Sequence, residues 1–123
     1  MSYKISIRLI SEKKQNLSSM EELISSGYKL FLKGDPVRSK SQFKIMQNML
    51  IFDCCECEKI SKDIENLLIK NLIRTKVCNN EIKRELLISN VSEKDQYGIE
   101  IPLELTKILG ENNYSILFSG VFV

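Results

Sequence analysis

Histidine and tryptophan are both missing from this chain of 123 residues. Without histidine, the side chain that most often serves as general base and as nitrogen ligand to metals is gone. Only two prolines and five glycines are present, too few for a low-complexity or collagen-like segment. None of the glycines has the spacing of a phosphate-cradling loop, a dinucleotide fingerprint or a nucleophile elbow. No apolar run approaches the roughly 18 residues that a membrane span requires. The opening MSYKISIRLI alternates instead of forming an apolar block, and no small-residue cleavage site follows it. Neither a secretory leader nor a membrane partner is expected. With 43% hydrophobic and 28% charged residues, the composition suits a folded chain and not a disordered one. The length suits one domain, 1–123, with one core.

Cysteine is present but unevenly placed. Three of the four crowd together as Cys54, Cys55 and Cys57, with Cys78 apart. A disulfide scaffold spaces its cysteines more evenly, so reduced thiols in the cytoplasm are expected. A structural zinc site draws four thiolate or imidazole ligands from C-x2-4-C pairs, whereas the local spacing here is C-C-x-C. Adjacent residues of a strand project to opposite faces, so Cys54 and Cys55 are not expected to ligate one ion together. No metal and no cofactor are expected, and the four thiols read as small buried hydrophobes. The competing reading is a redox-sensing Cys57, close to a helix start that would lower its pKa.

The formal net charge is +2, distributed unevenly. Residues 1–44 carry nine basic against four acidic side chains, residues 45–72 three against five, and residues 73–123 six against seven. The basic excess is too small for a typical nucleic-acid binder.

What is present in regular form is periodicity. Residues 58–73 place Ile60, Ile64, Leu67, Leu68 and Leu72 at helical spacing, with Lys59, Lys62, Asp63, Glu65, Asn66 and Lys70 mostly on the other side. One apolar stripe predicts a helix that covers a sheet. Tyr3, Ile5, Ile7 and Leu9 alternate with Lys4, Ser6 and Arg8, the period of a half-buried strand. Ser18 and Glu21 have the spacing of a capping box before a short helix, which Gly27 would end. Residues 28–32 read as either a short strand or more helix. Lys33-Gly34-Asp35-Pro36 is a turn. Residues 43–46 and 49–54 read as strands, either as a hairpin turning at Gln47-Asn48 or as one bulged strand. A strand is predicted over 85–89, a helix opening at Pro102 and closing at Gly110, and a last strand over 114–118. Interleaved strands and helices give an α+β fold: a single mixed or antiparallel sheet with helices packed on one face.

No reaction is written in these residues, so neither an enzyme nor a small-molecule substrate is expected. Carboxylate pairs such as Glu21/Glu22 and Glu56/Glu58 sit at helix starts, where the macrodipole favours them anyway. Two charged sets suit macromolecular partners. The acidic set Asp53, Glu56, Glu58, Asp63 and Glu65 could meet a basic protein. The basic segment 29–44, with Lys33, Arg38, Lys40 and Lys44, could touch phosphate but has no interleaved aromatic residues.

An alternating first strand, YKISIRLIS, is followed by a short helix, the turn Lys33-Gly34-Asp35, a strand, a central amphipathic helix and the ending GIEIPLELTKILGENNYSILFSG. This succession resembles the small bacterial domain of unknown function DUF4279 across nearly the whole chain, with Phe43 standing where that pattern opens its second strand with tryptophan. Such domains are similar to immunity proteins of polymorphic or contact-dependent toxin systems. The resemblance implies a cytoplasmic inhibitor that binds one cognate protein toxin domain, for instance a nuclease, and blocks it. No catalytic residues carry over. Under that reading Asp53, Glu56, Glu58, Asp63 and Glu65 would contact the toxin, joined by Asp95 or Tyr97. The alternative function is a nucleic-acid-associated or regulatory module using segment 29–44.

Overall fold

The computed structural model describes residues 2–36, 44–75, 81–90 and 99–120. The elements run β1 (Tyr3–Ser11), α1 (Lys14–Ser18), α2 (Glu21–Ser25), β2 (Lys29–Phe31), β3 (Asn48–Cys57), α3 (Lys62–Arg74), β4 (Lys83–Asn90), α4 (Leu103–Glu111) and β5 (Tyr114–Gly120). The five strands form one sheet in the order β2-β3-β1-β4-β5. All neighbours are antiparallel except β4 and β5, which run parallel across the α4 connection. The expected α+β architecture, a single sheet with helices on one face, is the one observed, and its mixed form is now specified.

The alternation read in β1 identifies the face turned to the helices, but the expectation of a strand buried on one face is corrected: Ser6 and Ile10 of the other face are also buried, each 8% exposed. Tyr3, Ile5, Ile7 and Leu9 are each 2% exposed or less, and they pack with Leu50, Leu86 and Ile88 of the neighbouring strands. Leu17, Leu23, Leu68, Leu72, Leu105 and Leu109 close this core from the helices. Burying one such leucine contributes about 2 kcal/mol from desolvation alone. The opposite face of β1 carries Lys4, Ser6, Arg8 and Ile10, opposite Glu56, Asp53, Ile51 and Met49 of β3. Among the described residues, no helix is long and apolar enough to cross a membrane.

Helix α3 starts four residues later than its apolar period suggests. Ser61 is extended, and its hydroxyl accepts from the Ile64 amide at 3.3 Å, satisfying one free donor of the first turn. Glu58, Lys59 and Ile60 therefore belong to the approach. Leu68 and Leu72 are fully buried, while Leu67 lies half in solvent at 39% exposure. The stripe is thus narrower than expected. Glu65, expected on the outer side, is buried at 3% and receives Lys62 Nζ at 2.8 Å.

Other local expectations are corrected. Ser18 ends α1 instead of capping the next helix: α2 is capped by Met20 without a side-chain hydrogen bond. Residues 29–31 are strand, resolving the choice left open there. Asn48 is the first residue of β3 and not a turn; its Nδ2 donates to the Ser11 and Glu12 carbonyls, and its Oδ1 accepts from the Lys33 amide at 2.8 Å. The fork ties three segments together, a role that a strand-or-turn reading does not see. Neither alternative for 43–54 holds: β3 begins at Asn48 and carries its bulge at Cys54, residues 45–47 are not strand, and Lys44 forms an isolated bridge with Pro36; Phe43 lies outside the described residues. Pro102 is the N-cap and not the first helical residue, and Gly110 lies within α4. That helix ends through Asn113 at φ 58°, a left-handed position that asparagine tolerates. Gly27, at φ 118°, does follow α2 as expected.

Candidate functional site

The most informative irregularity is a bulge in β3. Ile5 faces Cys55 while the next residue, Ser6, faces Asp53, so Cys54 is an extra residue in the ladder. An inserted residue shifts the alternation of a strand by one. Asp53 and Glu56 would point to opposite faces of an uninterrupted strand. Here both lie on the helix-free face, opposite Ser6 and Lys4. Ser6 Oγ donates to Asp53 Oδ1 at 3.3 Å, and Ser2 Oγ donates to Glu56 Oε1 at 2.8 Å.

The same bulge gathers the thiols. Cys54, Cys55 and Cys57 all pack against the core, which corrects the expectation that Cys54 and Cys55 diverge. Burial pushes Cys55 and Cys57 up to about 11 and raises Cys54, and the charge of one neighbouring thiolate adds to the rise in each case: Cys57 on Cys54, Cys54 on Cys55 and Cys55 on Cys57. A helix start does not activate Cys57, because three residues separate it from the Ser61 cap. No group of three or more acidic and cysteine side chains among the described residues is arranged to hold a metal ion. Cys78 lies outside the described residues.

Of the acidic residues named from sequence, Asp53, Glu56, Glu58 and Asp63 are exposed. They follow one another from the second half of β3 to the first turn of α3, with Lys4 opposite Glu56 and Lys59 and Lys62 among them. Glu65 is separated from this group by burial and by its ion pair with Lys62. Asp95 and Tyr97 lie outside the described residues. In the basic segment, Lys29, Lys33 and Lys44 are exposed near the β2 edge, while Arg38 and Lys40 lie outside the described residues.

Sequence reasoning missed the centre of the helix-free face. Arg8 of β1 and Glu85 of β4 are directly opposite, and Arg8 Nη2 donates to Glu85 Oε2 at 2.8 Å. Lys83 Nζ stands 3.5 Å from the other carboxylate oxygen. Glu85 is only 2% exposed. It follows Lys83 and Arg84 at the charged start of β4, where a third charged residue reads as solvated, so the sequence gave no signal of a buried carboxylate. Beside this pair, Leu87 of β4 and Leu117 of β5 are register partners on the same face. Between the start of α1 and β4, Lys13 and Asn16 both reach Glu81, at 3.3 and 3.1 Å, and hold its carboxyl below the usual range.

Comparison with protein-family models, with curated proteins and with solved structures gives no match.

Proposed function

We propose that this protein is a toxin-neutralising inhibitor that binds a basic cognate toxin domain in the cytoplasm of its own cell. The observation that supports it is the row of four exposed carboxylates, Asp53, Glu56, Glu58 and Asp63, at the junction of β3 and α3. The bulge turns two of them to one face. Exposed charge on a rigid strand costs little to present, steers an oppositely charged partner and fixes its orientation. A nuclease domain with a basic substrate cleft is the partner of that chemistry. Glu65, paired and buried, is a support for α3 in this reading and not a contact.

The test begins with the neighbouring reading frame. A large secreted protein with a variable C-terminal domain supplies the candidate toxin, which should co-purify with this chain and lose its toxicity when co-expressed. Reversing Asp53 and Glu56 to lysine should then slow association by at least about tenfold at low salt, with the difference shrinking as salt is raised. Unchanged rates would reject the acidic surface. Binding of RNA or DNA that weakens steeply with salt would favour instead the edge that carries Lys29, Lys33 and Lys44.

A further inference from the structure

The two edges of the sheet are built differently. β2 spans three residues and opens with Lys29, the short and charged form that discourages pairing with another chain. β5 is the other edge. It spans seven residues, YSILFSG, without a charged residue or proline, and it pairs with β4 at seven successive positions without a break in register. Among the described residues, no strand lies on its outer side. Leu117 is 37% and Phe118 56% exposed. By register they sit on opposite faces, Phe118 with Ile88 on the helix side and Leu117 with Leu87 on the other. Among the described residues, β5 has none of the short length, charge, proline or bulge that usually protects an edge strand.

The order of side chains points to the occupant. Ser115-Ile116-Leu117-Phe118-Ser119 has the same polarity read from either end, with Leu117 at its centre. An isologous contact requires a surface complementary to itself under a two-fold rotation. Antiparallel pairing of two copies about an axis at Leu117 sets Leu117 opposite Leu117 of the second copy. It likewise sets Ile116 opposite Phe118 and Ser115 opposite Ser119. Each cross-strand pair then joins like polarity, and no like charges meet.

We propose that β5 is the docking edge for a second copy of this chain, joining two five-stranded sheets into one continuous sheet across a two-fold axis at Leu117. The contact is closed, because β5 of each copy is consumed by the other. The carboxylates of β3 lie three strands away from the β5 edge in the sheet order, so the dimer leaves them free and does not depend on the toxin-binding reading.

Sedimentation of the full chain over a range of concentrations tests this. The expected species has twice the 14.2 kDa chain mass. A monomer at every concentration, or an open-ended assembly, overturns the proposal. Leu117→Lys would place two ammonium groups on the axis and should give a monomer, as should Leu117→Glu. An equimolar mixture of these two variants should recover the dimer, because lysine then faces glutamate. Circular dichroism checks that each variant is folded. If either is not, Leu117→Cys in a chain with its four natural cysteines changed to serine should form a disulfide-linked dimer on mild oxidation. A dimer that survives Leu117→Lys, or one that Leu117→Cys does not cross-link, places the contact elsewhere and overturns the proposal.

Discussion

Arg8 and Glu85 face each other across β1 and β4 and share a 2.8 Å hydrogen bond, with the carboxylate almost wholly out of solvent and the guanidinium a quarter exposed. Removing one member of such a pair strands the other. Arg8→Ala should cost about 3 kcal/mol, the lower end for a buried pair because Lys83 remains within 3.5 Å of Glu85. Replacing both residues by apolar side chains should cost much less. Chemical denaturation of the two single variants and the double variant measures the coupling. Additive losses would show that the pair acts as two independent residues.

Ser61 closes the N-terminus of α3 through a single hydrogen bond to the Ile64 amide. Ser61→Ala should lower stability by about 1 kcal/mol and Ser61→Asp should largely restore it. A thermal melt of the three proteins is sufficient. Equal melting temperatures would mean that solvent satisfies the first turn as well as the hydroxyl does.

The thiol cluster makes a prediction with a defined sign. Burial raises Cys55 and Cys57 from 9.0 to about 11 in the folded chain. The unfolded chain therefore loses its thiol protons first as pH rises, and the difference favours unfolding. Stability should fall between about pH 9 and 11 in the wild type and fall less in a Cys55→Ser/Cys57→Ser variant. The difference between the two denaturation profiles isolates the thiols from tyrosine and lysine, which titrate nearby. Iodoacetamide should likewise react slowly with the folded chain near neutral pH. Rapid alkylation there would contradict the protonated state.

Arg84 is 8% exposed on the core side, in register with Leu9 and Tyr114, and its buried Nε has no acceptor among the described residues. An unmet buried donor costs about 1–3 kcal/mol. Arg84→Met keeps the length of the stem and removes the donor, so it should raise the melting temperature. A lower one would show that the guanidinium is needed at its tip.

Most of the architecture was legible because it follows from alternation and stripe. Tyr3, Ile5, Ile7 and Leu9 announced the core face of a strand, though not that Ser6 and Ile10 behind it would be buried as well, and Leu68 and Leu72 announced the helix that covers it. Local endings were less legible. The Ser18–Glu21 spacing suited a capping box, but the chain closed α1 there, and α4 ended through Asn113, a left-handed residue immediately before β5 begins. The candidate site depended on parity. A single inserted residue at Cys54 decides which side chains of β3 face in or out, and nothing in a run of cysteines and acids marks where the ladder skips. Glu85 was illegible for a related reason: burial of its charge depends on a partner, Arg8, whose position only the fold supplies, whereas Glu65 has its partner Lys62 within helical reach and only the side it turns to was misread.

β1 is the first strand made and the middle strand of the sheet. Its closest ladder contact, Ser11 with Asn48, already bridges 37 positions, and the β4 partners of Tyr3 and Lys4 are farther along still. Loop closure must therefore come before any pairing rewards it. Refolding is expected to take about milliseconds or longer, and a nascent chain released before β4 has emerged would keep one margin of its central strand bare for chaperones to hold.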